Sequence, residues 1–425
     1  MALQAPKGTR DILPEESYKW QHVEALIRGI CYKYGLSEAR TPAFEHTELF
    51  LRGVGDTTDI VQKEMYTFLD KGGRSITLKP EGTAGIVRMY VEHKLFAQPQ
   101  PIKVYYLTCP VFRYEKPQAG RLREHHQFGV EIFGAPRADA DAECIAIALE
   151  LFNSIGVKDL SLNINSIGCP KCRPAYHAAL KEYLGSSINA LCTACRERFE
   201  KNPLRVLDCK EDACKRIVKS APVILDFLCS ECAAHFQDLK DCLNAMDISY
   251  EINPFIVRGL DYYTRTVFEI ISTHIGSQGT VCGGGRYDGL VEEIGGPSVP
   301  GVGFGLGMER LLMVAQSQGL EIVQPDKCDF YIACTGEASR LRGFRLAHEL
   351  RQLGKRAECD QLGRSLKAQL KYADKLGAIY VIAIGEDELR ESRVKLRNMA
   401  AGIEIPALLQ ADKILQAGFN TSNNK

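Results

Sequence analysis

The sequence predicts a mixed α/β (α+β) fold: an antiparallel-sheet domain, a cysteine-rich insertion and a small C-terminal α/β domain. Strand-like runs flank a polar, basic loop at 103–134, which is typical of an antiparallel hairpin. Nine of the sixteen cysteines fall between Cys169 and Cys242. Beyond residue 325, strand and helix patterns alternate, as in small α/β domains.

The elements of the first domain follow from their periodicity. A helix is predicted over 17–34, because Trp20, Val23, Ile27 and Ile30 recur on one face and Gly35 follows as a C-cap. The last predicted element is a small-residue strand at Gly301 that runs into an apolar helix. Between them we predict strands at 103–113, 125–134, 160–167 and 281–288, and a helix at 139–152. Residues 251–271 are predicted to add to the sheet, with a strand-like run at 266–271.

Composition sets the predicted domain boundaries. At Gly168 the sequence becomes rich in Cys, Lys and Glu, and strand-like patterns return near Ile248. Pro325 and Asp326 indicate a linker. We therefore predict a first domain at 1–325, an insertion within it at 168–247, and a second domain at 326–425. The predicted elements of that last domain are strands at 328–336, 356–358 and 378–385 and helices at 338–353 and 366–376.

Bulk composition predicts a cytoplasmic protein with no membrane partner. The N-terminus has no apolar signal region, and no run of about 18 apolar residues occurs. Sixteen cysteines without a signal peptide indicate reduced thiols. Lys+Arg and Asp+Glu both number 53, so the net charge is zero. This balance argues against a generic DNA-coating role but leaves selective RNA contact open.

The most informative segment is RGLDYYTRTVFE, Arg258 to Glu269. It begins with a cation and a glycine, continues with Tyr262 and Tyr263, and ends in a β-branched run. A strand that brings Arg and Tyr side chains together suits a small polar ligand carrying an anion. Arg258 has no obvious carboxylate partner within this segment.

The hairpin carries a second group of charged residues. Arg113 and Glu115 follow its first strand, and Arg121 and Arg123 lie in its loop. An arginine on a rigid strand can grip a phosphate with two hydrogen bonds, and loop arginines can close over a triphosphate or an RNA end. The alternative interpretation is a solvated edge hairpin with surface salt bridges.

Three further motifs are compatible with a ligand site. LKPEGTAG places Glu81 and Thr83 after a strand, where the carboxylate could hold an amino group or only cap a turn. GLGMERLLM places Arg310 among apolar neighbours in the first turns of a helix. The glycines of CGGGRYDG allow close backbone approach beside Tyr287. GxxxxGK[ST] and strand–GxGxxG–helix motifs are absent from the sequence, which excludes the common nucleotide folds that use them.

Taken in order, these motifs resemble the histidyl-tRNA synthetases over nearly the whole chain. The hairpin resembles motif 2 of class II synthetases, GLGMERLLM motif 3, and TPAFEHTELF around Pro42 the dimer-forming motif 1. RGLDYYTRTVFE and GGGRYDGL specify histidine within that class. One departure is His125, two residues before Gln127, where family members usually carry a phenylalanine adenine platform. An imidazole can stack as well.

The resemblance implies an enzyme that ligates L-histidine to histidine tRNA through a histidyl-adenylate. It further implies ATP as substrate with Mg²⁺, a C-terminal anticodon-binding domain and a homodimer. The implied catalytic residues are Arg113 and Arg258. The implied histidine-binding residues are Glu81, Gly82, Thr83, Gln127, Glu131, Tyr262, Tyr263 and Tyr287, and the implied ATP-binding residues are Arg113, Glu115, Arg121 and Arg310.

Two other functions fit parts of the sequence. A synthetase-like regulatory paralogue would sense histidine or uncharged tRNA, but such proteins typically lose the reactive arginines or the anticodon-binding domain, which this chain keeps. A zinc-dependent nucleic-acid-binding module would explain the insertion but not the other motifs.

The insertion carries four close cysteine pairs. Paired thiolates suit a tetrahedral Zn²⁺, whereas the alternative is reduced structural thiols. Cys192/Cys195 and Cys209/Cys214 close the shorter loops, so they are the predicted first site. The outer pairs, Cys169/Cys172 and Cys229/Cys232, could form a second site. Because the insertion lies outside the adenylation motifs, chelation is expected to spare histidine activation more than tRNA charging.

Overall fold

The computed structural model describes residues 3–55, 58–107, 110–118, 120–201, 203–207, 209, 211–256, 258–274, 279–325 and 328–422. The chain divides into two compact units, Met1–Ile322 and Val323–Lys425. Asp326 of the predicted linker lies outside the described residues, so the predicted 325/326 boundary stays a prediction.

A mixed sheet forms the centre of the first unit. Nine of the described strands join it, in the order β1-β5-β7-β12-β11-β10-β8-β9, with β6 also paired to β7. A separate small sheet has the order β2-β4-β3. The strands are β1 (Ser37–Glu38), β2 (Phe44–His46), β3 (Tyr66–Leu69), β4 (Ser75–Leu78), β5 (Ile102–Tyr106), β6 (Pro110–Phe112), β7 (Glu124–Phe133), β8 (Leu160–Ser166), β9 (Glu251–Ile252), β10 (Thr264–Ser272), β11 (Thr280–Arg286) and β12 (Gly301–Gly307).

The central strands are antiparallel, as predicted, and only the edge pairs β1–β5 and β8–β9 are parallel. The predicted hairpin is present, but its first strand is two strands, β5 and β6, that both pair with β7. Thr108 and Cys109 between them lie outside the described residues.

The described helices of the first unit lie around the main sheet and in the insertion. They are α1 (Pro14–Lys33), α2 (Thr47–Val54), α3 (Thr83–Glu92), α4 (Ala138–Ile155), α5 (Arg173–Gly185), α6 (Thr193–Lys201), α7 (Asp212–Val218), α8 (Ser230–Ala245), α9 (Leu290–Glu293) and α10 (Met308–Ser317). Helices α1, α4, α8 and α10 share a core with the apolar side chains of β7, β10 and β12.

Strand alternation separates the two faces of the sheet. Along β7, Phe128, Val130 and Ile132 point into that helical core, so Gln127 and Glu131 point to the other face. On β12 the core residues alternate with glycines, which leaves the second face open over these strands. This second face carries the candidate site.

The insertion is helical, although no helices were predicted there from the sequence. Helices α5, α6 and α7 enclose a core of their own, rich in cysteine and leucine. Helix α8 belongs to both cores: Cys232 lies in the core of the insertion, and Phe236, Leu239 and Leu243 lie in the core of the main sheet. The predicted insertion, 168–247, thus ends in a helix that the main sheet also requires.

The second unit is the predicted α/β domain. Its sheet has the order β14-β13-β15-β16-β17, with the first three strands parallel and the last two antiparallel. Its elements are β13 (Cys328–Cys334), α11 (Glu337–Gln352), β14 (Ala357–Cys359), α12 (Leu366–Leu376), β15 (Ala378–Ile384), α13 (Glu386–Glu391), β16 (Arg393–Asn398), β17 (Glu404–Leu408) and α14 (Ala411–Ser422). Within the described part of the chain, no helix has the length and apolar character needed to cross a bilayer.

Candidate active site

A cleft of about 450 Å³ opens on the second face of the main sheet. Four arginines and three glutamates are among its lining residues, together with glycines of β11 and β12. We call it the main cleft. Its charged and polar lining residues are Arg113, Glu115, Arg121, His125, Gln127, Arg258, Glu269, Thr280, Glu309 and Arg310.

Arg113 directly follows β6 at the wall of the main cleft. Its Nε donates to the carbonyl of Pro80 at 2.8 Å, which fixes the plane of the guanidinium. Among the described residues Arg113 forms no ion pair within 4.0 Å, and burial lowers its pKa. A fixed, desolvated cation without a carboxylate partner is suited to an anionic ligand.

Arg258 does have a carboxylate partner, so the sequence-based expectation was wrong. Its Nη1 donates to Glu269 Oε1 on β10. Alternation along β10 places Phe268 in the helical core and Glu269 on the cleft face, where the segment from Arg258 folds back over the strand. Burial alone would lower the pKa of Arg258, but the Glu269 carboxylate outweighs burial and raises it. A side chain at Gly283 would collide with the guanidinium, so this glycine makes room for Arg258.

The other predicted ATP-binding residues meet at the outer side of the cleft. Arg121 pairs with Glu115 and lies 3.7 Å from Glu64 Oε1. Arg310 donates to the carbonyls of Gly120 at 3.0 Å and Thr280 at 2.7 Å. Burial and the neighbouring cations Arg121 and Arg113 lower the pKa of Arg310, which indicates a region of concentrated positive charge.

Arg123, by contrast, is held by the loop itself. It donates to the carbonyl of Glu115 at 3.0 Å and its guanidinium carbon lies 4.2 Å from the centre of the Tyr114 ring. It is absent from the described lining of the main cleft.

His125 lies in the main cleft as a neutral ring. Burial and the nearby cations Arg113 and Arg310 lower its pKa to about 3. Its Nδ1 is buried and has no hydrogen-bond partner among the described residues. A neutral, flat ring at this position is compatible with stacking on a base.

Deeper on the same face, Glu131 is fully buried and holds two hydroxyl groups. Thr83 Oγ1 donates to its Oε1 at 2.7 Å, and the Tyr287 hydroxyl donates to its Oε2. Burial is the main reason why the pKa of Glu131 is raised to about 8, although both hydroxyls act in the opposite direction. Both the protonated and the ionised form of this carboxyl group are therefore accessible near neutral pH.

Aromatic residues surround this carboxyl group. The rings of Tyr262 and Tyr263 lie 4.7 Å apart, and Tyr262 meets Tyr287 edge-on at 5.7 Å. All three tyrosines are buried. We call the following set the carboxylate–tyrosine cluster: Glu81, Thr83, Tyr106, Glu131, Tyr262, Tyr263 and Tyr287.

Glu81 caps helix α3. Its two carboxylate oxygens accept from the backbone N–H groups of Thr83 at 2.8 Å and Ala84 at 2.7 Å. Burial raises its pKa, while these hydrogen bonds act against burial. Of the two interpretations left open by the sequence, the capping role is observed, and any contact to an amino group would be additional to it.

Gly82 adjoins the carboxylate–tyrosine cluster, and Gln127 lies in the main cleft. Gly82 lies against the Tyr106 ring, where any side chain would collide. Gln127 lines the cleft on the same face of β7 as Glu131, and its Oε1 is buried without a hydrogen-bond partner among the described residues. Such a group is available to a ligand.

Three residues of this site were not predicted from the sequence. Tyr106 has a buried hydroxyl without a partner among the described residues, and its strand reads simply as apolar. Glu269 was overlooked because its role depends on strand alternation. Glu309 accepts from the backbone N–H of His126 at 3.0 Å and lies 2.9 Å from its Nδ1. Glu309 could have been predicted as a site residue, because it directly precedes Arg310 in the same motif.

The arginine of GGGRYDG has a structural role. Arg286 is fully buried on the helical side of the sheet, where its Nη2 lies 2.6 Å from Asp141 Oδ2 of α4. His235 Nε2 of α8 lies 3.3 Å from the same oxygen. Removing one partner of a buried ion pair costs roughly 3–5 kcal/mol. Arg286 therefore anchors β11 on the helical side of the sheet. The next residue, Tyr287, reaches the carboxylate–tyrosine cluster on the other side.

The eight paired cysteines of the insertion form two groups. The inner group is Cys192, Cys195, Cys209 and Cys214, and the outer group is Cys169, Cys172, Cys229 and Cys232. Within each group the four sulfur atoms all lie within 4.8 Å of one another. The inner group brings together the residues that the sequence predicted as one site, and the outer group brings together the predicted second site.

Sulfur geometry in both groups suits a tetrahedral metal. Zn–S bonds of about 2.3 Å place tetrahedral sulfurs about 3.8 Å apart. The observed separations are 3.8 Å for Cys192–Cys209, 3.7 Å for Cys169–Cys172 and 3.9 Å for Cys169–Cys229. These distances are far longer than the roughly 2.05 Å of a disulfide.

An antiparallel sheet that carries phosphate-suited arginines beside a buried polar cluster is the arrangement expected of a class II aminoacyl-tRNA synthetase. Residues 8–311 match the family model described as histidyl-tRNA synthetase, and residues 329–408 match the anticodon binding domain. The chain is 59% identical over 409 residues to a histidine–tRNA ligase of Caldanaerobacter subterraneus subsp. tengcongensis, covering 96% of this chain and 98% of the relative.

Other relatives agree. A histidine–tRNA ligase of Clostridium botulinum is 56% identical over 405 residues, covering 95% of this chain and 96% of the relative. A crystal structure of apo histidyl-tRNA synthetase from S. aureus is similar with a TM-score of 0.83 and 39% identity, covering 98% of this chain and all of that chain. The chain belongs to the histidyl-tRNA synthetase family, and the predicted fold class is confirmed.

Proposed function

We propose that this chain activates L-histidine with ATP and transfers it to histidine tRNA, with the main cleft binding ATP and the carboxylate–tyrosine cluster binding histidine. The observation that carries this assignment is the continuity of the two sites. Gln127 and Glu131 lie on one face of β7, so a ligand in the cluster meets a ligand in the cleft near Arg113 and Arg258.

The reaction has two steps. A carboxylate oxygen of histidine attacks the α-phosphorus of ATP, a new P–O bond forms, and pyrophosphate leaves. A hydroxyl of the terminal ribose of the tRNA then attacks the carbonyl carbon of histidyl-adenylate and loses its proton as AMP leaves. Neither step needs a nucleophilic side chain. The rate comes from orientation and from stabilising charge on the phosphate.

Arg113 and Arg258 are the proposed catalytic residues. Arg113 is fixed through Pro80 and unpaired among the described residues, so it is the stronger candidate for the α-phosphate. Arg258 shares its charge with Glu269 and adjoins the Tyr263 ring at 5.8 Å, so it stands between the two ligands. Arg121, Arg310 and Glu115 are proposed to contact the remainder of ATP, with His125 beneath the adenine.

Mg²⁺ is expected to arrive with ATP. The three glutamates in the described lining of the cleft each have a basic partner: Glu115 pairs with Arg121, Glu269 with Arg258, and Glu309 with His126. No carboxylate of this lining is therefore free to form a preformed magnesium site. The phosphate oxygens must supply most of the ligands, as is usual for this ion.

Glu131 is the proposed reader of the imidazole, with Tyr262, Tyr263 and Tyr287 around the ring. A carboxyl group that already binds two hydroxyls can accept an N–H of the substrate, and amino acids without a ring N–H would leave it poorly satisfied. Glu81, Gly82 and Thr83 lie at the start of α3 and are proposed to face the α-amino group, with Gln127 near the carboxylate.

A histidine-dependent ATP–pyrophosphate exchange assay tests this function. Exchange is expected with histidine and not with phenylalanine or glutamine. Charging of histidine tRNA tests the second step. The regulatory alternative expects histidine binding without exchange, and the presence of Arg113, Arg258, Arg310 and the second unit favours the enzyme.

We further propose a homodimer that uses the small sheet. Phe44 of β2 and Phe68 of β3 are 55% and 49% exposed and lie on one face of this sheet. Exposed apolar side chains that share a face are typical of an interface. By light scattering, Phe68→Asp is expected to give a monomer, whereas Leu69→Asp, which changes the opposite face, should leave the dimer intact. A fully active wild-type monomer would contradict the proposal.

We also propose that the inner cysteine group binds structural Zn²⁺, because its sulfurs already have the required spacing. Metal analysis of protein purified without chelator tests this. Less than about half an equivalent of zinc per chain would identify these cysteines as ordinary thiols.

A further inference from the structure

Two arginines of the insertion reach the substrate-binding segment 258–263. Arg173 donates from Nη2 to the carbonyl of Tyr263. Arg205 donates from Nη2 to the carbonyl of Gly259 at 3.2 Å. The two contacts lie near the two ends of a segment that carries Arg258, Tyr262 and Tyr263, all of which belong to the proposed site.

Arg173 is tied to the outer cysteine group by the chain itself. It is the residue after Cys172, and it is the first residue of α5. Its backbone N–H donates to the carbonyl of Cys169 at 3.2 Å, so the loop that carries two of the four sulfurs also starts the helix. The third and fourth sulfurs arrive from the far end of the insertion, where the N–H of Cys229 donates to Cys172 Sγ at 3.1 Å.

The stem of the insertion is also paired with the strand that follows the tyrosines. The N–H of Arg265 donates to the carbonyl of Gly168 at 2.8 Å, and the N–H of Ile167 donates to the carbonyl of Arg265 at 2.8 Å. Gly168 has a φ of +65°, and a side chain there would lie 2.7 Å from Cys172 Cβ. The outer cysteines thus begin one residue from a position that is hydrogen-bonded to β10.

We propose that the outer cysteine group, Cys169, Cys172, Cys229 and Cys232, binds a Zn²⁺ that holds Arg173 on the Tyr263 carbonyl, so that the metal positions the histidine-binding tyrosines. This inference rests on the proposed function of the tyrosines. Arg173 is a positioning residue, since it contacts the backbone of the binding segment and not the ligand. The outer metal therefore supports histidine binding, contrary to the expectation that chelation spares histidine activation.

The contact of Arg205 makes a smaller contribution. Arg205 lies between Cys195 and Cys209 of the inner group, and its hydrogen bond to Gly259 is exposed to solvent. Solvent weakens such an interaction, whereas Arg173 is half-buried. Loss of the outer group should thus lower histidine affinity more than loss of the inner group. The inner group therefore serves as the control for the outer group.

The test is a double-mutant cycle with zinc content and the KM values for histidine and ATP in pyrophosphate exchange as readouts. The wild type is expected to hold two zinc ions per chain. Cys232→Ser should hold one and raise the histidine KM about ten-fold, with the ATP KM changed less than about two-fold. Arg173→Ala should keep both metals and raise the histidine KM by a similar factor.

The double variant Cys232→Ser/Arg173→Ala should be no worse than either single variant, because both changes break the same connection. Arg173→Lys should recover part of the loss, since an ammonium can still donate to the carbonyl. Arg216→Ala, on the exposed side of α7, is the matched control and should change nothing. Cys195→Ser should lose one zinc with an effect on histidine KM of about two-fold or less.

Three results would overturn the proposal: an unchanged histidine KM in Arg173→Ala, multiplying effects in the double variant, or unchanged zinc content in Cys232→Ser. If Cys232→Ser does not fold, chelation of the folded wild type replaces it: metal removal should raise the histidine KM of the wild type but not raise that of Arg173→Ala further. Histidine binding by calorimetry separates this inference from the proposed function. Weaker histidine binding by Arg173→Ala supports the positioning role of Arg173 even if the wild type shows no exchange, in which case the proposed function alone fails.

Discussion

The main cleft and the carboxylate–tyrosine cluster lie on one face of one sheet but treat charge in opposite ways. In the cleft, arginines remain charged and crowd one another, and each described glutamate has a basic partner. In the cluster, a buried carboxyl group is surrounded by hydroxyls, and its pKa rises to about 8. The cleft is thus prepared for an anion, whereas the cluster is prepared for a neutral ligand that forms hydrogen bonds.

The largest expected effect comes from breaking the cleft at Arg113. Arg113→Ala should lower the exchange rate about 10²–10³-fold, because a fixed cation on the developing phosphate charge is lost. The dissociation constant for histidine should change little, since the cluster is intact. Measuring both quantities checks that the main cleft acts on the phosphate and the cluster binds histidine. A loss of histidine affinity with an unchanged rate would place Arg113 in the wrong site.

Glu131→Gln tests the cluster in the same way. It should reduce kcat/KM for histidine about 100-fold while leaving the KM for ATP near its wild-type value. The amide cannot accept from Thr83, Tyr287 and the imidazole as a carboxylate does. Steady-state exchange with each substrate varied in turn gives both constants. Equal loss for both substrates would show that the two sites are not separable.

The ion pair of Arg258 and Glu269 can be tested by removing one or both of its charges. Arg258→Ala should lower the exchange rate by roughly 30- to 100-fold and leave Glu269 as an uncompensated negative charge facing the phosphates. Adding Glu269→Gln to Arg258→Ala should therefore restore part of the rate. The single variant Glu269→Gln is the control. No recovery in the double variant would mean that repulsion by Glu269 is not part of the defect.

The raised pKa of Glu131 predicts a pH dependence of moderate size. If the ionised carboxylate accepts the imidazole N–H, kcat/KM for histidine should rise by up to about ten-fold per pH unit below about pH 8 and then level off. The rise should be absent in Glu131→Gln. The free protein should show the opposite trend in stability. The contribution of Glu131 to folding is fully present below the usual carboxyl pKa and is lost as pH rises through about 8.

The smallest expected effect is at His125. His125→Phe replaces a neutral ring by another, so the KM for ATP should change by only about two- to five-fold, and the histidine KM should not change. His125→Ala removes the platform and is the control, with a larger increase in the ATP KM. Similar ATP constants for all three proteins would show that the ring does not meet the adenine.

The parts of the molecule that sequence patterns predicted are those with strong periodicity or fixed spacing. The alternation along 125–134 gave strand β7, and the four cysteine pairs sorted into two groups as loop lengths suggested. The helices of the insertion were not predicted, because their short, highly charged segments show little apolar periodicity. The hairpin of β16 and β17 was not among the predicted elements, although charged and apolar residues alternate along Arg393–Asn398, which is a strand pattern.

The site was predicted less completely than the fold. Residues with a distinctive charge or motif, such as Arg113 and Arg310, were predicted from the sequence. Glu269 was not connected with Arg258, because they are eleven positions apart and only the turn of the chain over β10 makes them neighbours. Tyr106 looked like an ordinary core residue, and its role follows from its unpartnered hydroxyl, which no linear pattern reveals.

Helix α8 determines how far this enzyme can be shortened. Excision of the whole predicted insertion, 168–247, would remove Phe236, Leu239 and Leu243 from the main core and His235 from Asp141. A cut that keeps α8 avoids this damage, and the sulfurs of Cys169 and Cys229 lie only 3.9 Å apart, so a short linker can join the chain there. A minimal catalytic unit built in this way should fold without any metal. It would lack Arg173, and would thus show how well the main sheet binds histidine without the contacts of the insertion.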